Sequence, residues 1–66
     1  MKFPKYTQNL RQENNAIISY TTEVANIEGD FLVINGYWSQ TTSKHINYVA
    51  NYYGLNKIER SEFDRL

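Results

Sequence analysis

Five consecutive polar or ionisable residues, Thr41-Thr42-Ser43-Lys44-His45, are the densest concentration of chemistry in the chain. Their types admit two uses. At the start of a helix, hydroxyls accept hydrogen bonds from first-turn amides that have no carbonyl partner. The same amides, ringed by Thr41, Thr42, Ser43, Lys44 and His45, could instead hold a phosphate or carboxylate. No Gly-x-x-x-x-Gly-Lys loop accompanies them, so phosphate specificity is not written into the stretch. Nucleophilic catalysis would need a serine or threonine beside His45 and a carboxylate to orient its ring. No acidic residue lies between Asp30 and Glu59, so that carboxylate would have to arrive through the fold. Glu28 and Asp30 flank a turn glycine, where solvation is the ordinary reason for two acids. His45 precedes the apolar Ile46 and is placed either to hydrogen-bond into a sheet or to face solvent.

A second kind of chemistry is recognition by aromatic rings. Tyr48 and Tyr52 are four residues apart, beside Asn47 and Asn51, and lie off the apolar stripe of the same helix. Large amphipathic rings with amides next to them suit a protein-binding surface, although tyrosines in that position can also flank a core. Tyr37 and Trp38, just before the helix, extend the surface, with Trp38 the better placed of the two for the core.

The elements that must position these residues follow from periodicity. Ile46, Val49, Ala50 and Tyr53 recur at i, i+3, i+4 and i+7 and predict a helix from about Thr42 to Tyr53. Ser39, Thr41 and Thr42 compete to cap its start; Gly54 fits the left-handed position after its end, with Leu55 folding back onto the last turn. Ala16 to Ile27 and Asp30 to Trp38 are rich in β-branched and aromatic residues and predict two strands joined through Glu28-Gly29-Asp30. A two-residue turn and a three-residue loop would place opposite faces of the second strand on the core. The longer loop groups Tyr20, Val24, Leu32, Ile34 and Trp38 and is the expected register, with a bulge at Asn35-Gly36.

Residues 1–15 show no period and read as an arm that Phe3 and Tyr6 could pin to the domain or to a neighbouring subunit. After the helix, a short third strand is expected around Lys57 to Glu59, then a tail over 61–66 in which Ser61 and Asp64 could cap a turn. The expected fold is α+β: an antiparallel β-hairpin or three-stranded sheet with one packed α-helix, ββα or ββαβ, over residues 16–60.

A chain of 66 residues is one domain that buries only about 60% of its unfolded surface. With no cysteine and a single histidine, neither a disulfide nor a structural zinc site is expected, and no cofactor is implied. Self-association is then the expected support, and six Tyr, three Phe and one Trp could supply a homodimer interface. Seven basic and seven acidic residues give zero formal charge, which disfavours nonspecific nucleic-acid binding. No apolar run approaches the roughly 20 residues of a membrane span, and the N-terminus lacks a secretory apolar region, so a soluble, cytoplasmic protein is expected.

Val24-Ala25-Asn26-Ile27-Glu28-Gly29-Asp30, then Gly36-Tyr37-Trp38-Ser39, then Thr41 to Ala50, together resemble a small uncharacterised family of bacteriophage and mobile-element proteins. The resemblance covers Tyr20 to Leu55. It implies a ββα core and a genomic setting, and carries no activity. Short phage accessory proteins commonly act by occupying a host protein, which needs a surface and no active site. The expectation is therefore a non-enzymatic, phage-encoded protein that inhibits or modulates a host protein in the host cytoplasm. The alternative is a small nucleic-acid binder in which sheet aromatics stack on bases while Lys44, His45 and Lys57 meet phosphates.

Overall fold

The computed structural model describes residues 2–36 and 40–66; the predicted contributions of Tyr37, Trp38 and Ser39 lie outside the described residues. Five strands form one sheet in chain order: β1 (Leu10–Glu13), β2 (Ala16–Ser19), β3 (Thr22–Glu28), β4 (Phe31–Ile34) and β5 (Asn56–Glu59). Helix α1 (Gln40–Tyr53) joins β4 to β5, and a short α2 (Arg60–Phe63) follows. The α+β class holds, with more sheet than a ββα or ββαβ description contains.

Each extra strand has a local cause. The run Ala16 to Ile27 is two strands, because Tyr20 takes φ 59° and Ser19 pairs with Thr22 across a two-residue turn. Leu10–Glu13, read from the sequence within an arm, pairs with β2 through the turn at Asn14 and Asn15, where Asn14 has φ 55°. Asparagine tolerates that conformation; a tyrosine there is uncommon. The third hairpin turns on Gly29 (φ 61°), and Glu28 pairs with Phe31. This is the two-residue turn, so the expected longer loop is corrected: Leu32 and Ile34 sit opposite Ile27 and Ala25. Of the expected face, Val24, Leu32 and Ile34 do meet in the core, while Tyr20 is 49% exposed.

The bulge also lies elsewhere. Ile17 pairs with Ala25 while Ile18 pairs with Glu23, which leaves Val24 as the extra residue. Consecutive Val24 and Ala25 are both fully buried as a result, an inward doublet that strict alternation forbids. Asn35 and Gly36 follow the end of β4, with the Asn35 amide bonded to the Val24 carbonyl at 2.9 Å.

β5 was expected and is present, but it runs parallel to β4, in a mixed sheet. The intervening helix carries the chain back across the sheet, so the next strand starts at the same end as β4. Of the two residues expected to cap the final turn, Ser61 lies inside α2 and Asp64 does close it. Glu59 is its N-cap without a side-chain bond, and Asp64 is its C-cap.

α1 packs its stripe on one face of the sheet. Ile46, Val49 and Ala50 join Leu10, Ile17, Val24, Ala25 and Leu32 in a single core, and Phe3 completes it. The helix ends as its sequence predicts, with Gly54 at φ 68° and the Leu55 amide bonded back to the Ala50 carbonyl at 2.8 Å. A Cβ at Gly54 would meet nothing within 4 Å, so Gly54→Ala isolates the backbone cost. We expect a loss of about 1 kcal/mol in urea unfolding, with no change in fold.

Candidate functional site

α1 sorts the predicted site residues onto different surfaces. Positions 42, 45, 46, 49 and 50 point inward, and Thr42 and His45 are buried with 6% and 1% exposure. The hydroxyl cluster therefore divides: Thr42 turns to the sheet, while Thr41, Ser43 and Lys44 stay exposed.

The sheet meets His45 with Ser19. On β2, Ile17 and Ser19 face the helix by alternation, and Ser19 Oγ lies 2.7 Å from His45 Nδ1 and 3.5 Å from Thr42 Oγ1. Hydrogen bonding into the sheet was one of the two expectations for this histidine. Either Ser19 donates to the ring or the ring N–H donates to Ser19, according to tautomer. The rings of Tyr6 and Tyr20 sit 4.7 Å and 5.9 Å from the imidazole. Burial pushes the His45 pKa below its ordinary value and favours the neutral ring. A serine and a histidine in contact resemble part of a nucleophilic pair. Here Ser19 is 2% exposed, which closes the pair to a substrate, and its chemistry is mutual satisfaction of buried polar groups.

Outside this inner pair the chain gathers aromatic rings. Residues before β1 lie along α1, so that Phe3 stands edge-on to Tyr48, Tyr52 and Tyr53, with centroids 5.9, 5.2 and 6.0 Å away. Tyr6 meets Tyr48 at 5.5 Å, and Tyr48 meets Tyr52 at 5.8 Å. Phe3 is 1% exposed, whereas Tyr52 and Tyr53 are 46% and 39% exposed. The Tyr53 hydroxyl donates to Gln12 Oε1 at 2.5 Å, and burial, with Tyr52 beside it, raises the Tyr53 pKa. Thr41, Lys44, Tyr48 and Tyr52 fall at i, i+3, i+7 and i+11 and form one ridge. Asn51 is exposed beside it. Asn47 belongs to the other flank, where its Oδ1 accepts from Lys57 Nζ.

Sequence reasoning missed Ser19 and the depth at which Phe3 is buried. Two signals pointed to the first: positions 42, 45 and 49 extend the Ile46 stripe by helical spacing, and Ser19 shares its face with Ile17. Phe3 stands in an aperiodic segment and left no comparable signal.

A second polar group occupies the far end of the sheet. Arg60 Nη2 donates to Asn26 Oδ1 and Asn35 Oδ1, both at 3.0 Å, and its Nε donates to Asn35 Oδ1 at 3.1 Å. This fork fastens α2 to the end of β4, beside a shallow cleft of about 380 Å³ that also carries Glu59 and Asp64. Among the described residues, no group of three or more His, Cys, Asp or Glu side chains could hold a metal ion. No described helix is long and apolar enough to cross a membrane.

Residues 2–65 match the model of a family described as a family of unknown function, DUF8033. The chain belongs to that family. No curated protein and no solved structure matches it. The DUF8033 match begins before Phe3 and runs past α2, so it spans the N-terminal segment and both helices.

Proposed function

We propose that this protein is a non-enzymatic binding protein, phage-encoded, that inhibits or modulates a host protein by docking it on the tyrosine ridge of α1. The observation that carries the reading is the set of rings around Phe3. Tyr48 and Tyr52 pack at near right angles on a buried phenylalanine; Tyr48 is half-buried against the core and Tyr52 is 46% exposed. Rings fixed in this way lose little conformational freedom on binding, which is why such residues dominate interface energetics.

The nucleic-acid alternative has weaker support. Phe31 is the one aromatic on the described strands, and it is engaged with Phe63 at 6.0 Å. His45 is buried and Lys57 is occupied by Asn47, so Lys44, His45 and Lys57 do not converge as a phosphate site.

The test is affinity capture from host extract, with nuclease present, by the wild type and by Tyr48→Ala/Tyr52→Ala. The double variant removes two rings that brace Phe3, so circular dichroism first establishes that it is folded; the folded variant should lose at least about 90% of the captured host protein, as loss of two interface anchors implies. Equal capture by both would refute the ridge. Light scattering over a concentration series separates the remaining case, in which the rings pair with a second copy of the chain.

A further inference from the structure

Zero net charge conceals a segregated surface. The seven acids are Glu13, Glu23, Glu28, Asp30, Glu59, Glu62 and Asp64, so none falls within residues 2–12 or on α1. Those two segments build the tyrosine face, and they carry Lys2, Lys5, Arg11 and Lys44. Arg11 is already neutralised: its Nε lies 2.6 Å from Glu13 Oε2, the one ion pair among the described residues. Lys2, Lys5 and Lys44 are exposed. The Lys5 ammonium sits 5.1 Å from the Tyr6 ring centroid, Tyr6 touches Tyr48, and Lys44 precedes Tyr48 by about one helical turn. The two segments that carry the rings thus hold three lysines in no ion pair among the described residues and no acidic residue of their own.

We propose that the surface received by this face is an acidic protein surface, with carboxylates placed around an apolar centre. The inference rests on the tyrosine ridge being the contact surface and adds the chemistry of its partner. Complementary charge at the rim steers encounter and excludes wrong partners, while the buried rings supply the anchor. A nucleic-acid strand fits less well. Three exposed lysines are few for a phosphate track.

The test uses the full chain, isotopically labelled, and three probes followed by amide chemical shifts: an amphipathic peptide of glutamate and leucine, its lysine-for-glutamate counterpart, and a thymidine oligonucleotide. We expect the glutamate peptide alone to move amides in residues 2–6 and 44–52, and its affinity to fall at least about tenfold in Lys5→Glu/Lys44→Glu and with added salt. Equal binding of both peptides, binding of neither, or tighter binding of the oligonucleotide would overturn the proposal. If Tyr48→Ala/Tyr52→Ala abolishes peptide binding while the charge reversal leaves it unchanged, the ridge stands and the acidic partner falls. Shifts confined to the opposite face of the sheet would remove both.

Discussion

Phe3→Ala should be the most damaging single substitution outside the helix, costing about 3–5 kcal/mol. Phe3 is 1% exposed and touches three tyrosine rings of α1, so truncation empties a site that neither the sheet nor the helix alone can refill. Domains of this size have total stabilities of roughly 3–10 kcal/mol. The loss would therefore leave a large fraction unfolded at 25 °C. Urea unfolding followed by tyrosine fluorescence gives the midpoint, and Phe3→Leu, which refills part of the volume, should recover a substantial share. A midpoint unchanged in Phe3→Ala would mean that the N-terminal segment is not part of the core in solution.

The second large effect is a dependence on pH that runs through the inner pair. Burial lowers the His45 pKa from 6.5, so the unfolded chain takes up a proton that the folded chain refuses. The contribution is complete above about pH 6.5 and is lost as pH falls from there through the folded-state value, with a slope of at most about 1.4 kcal/mol per pH unit. Glu13 acts in a separate window. Its hydrogen bond to Arg11 holds the carboxyl below 4.5, so its contribution is present above about pH 4.5 and lost below it. Ser19→Ala removes the partner of His45 Nδ1 and should cost about 1–3 kcal/mol at pH 7. Urea midpoints between pH 3 and 8 check both windows: the slope near pH 6 should vanish in His45→Phe and persist in Glu13→Gln, whereas the Glu13 dependence below about pH 4.5 should vanish in Glu13→Gln.

Legibility in the sequence followed the strength of local signals. The helix and its glycine-terminated end rest on a four-residue apolar stripe and one glycine. Both are present, as is the short strand expected after them. Strand number was misread where the turn chemistry was unusual. Tyr20 adopts a left-handed φ that bulky residues rarely take, so an apparently continuous apolar run concealed a reversal. The bulge at Val24 broke the alternation that would have shown which side of β3 faces the helix. Of the site, the pair of tyrosines four residues apart was readable, while the rings that brace them from the N-terminal segment depend on contacts more than 40 residues away. No period in the sequence encodes such a contact.

Site-directed photo-crosslinking distinguishes the proposed docking face, the tyrosine ridge of α1, from the rest of the surface. A benzophenone side chain is placed at position 52 on that face, or at position 56 on the opposite face of the sheet, where Asn56 is exposed beside Phe31. In host extract treated with nuclease, we expect one discrete crosslinked protein from position 52 and none from position 56. Crosslinking from position 56 alone would overturn the proposal and move the interface to the face of the sheet opposite α1.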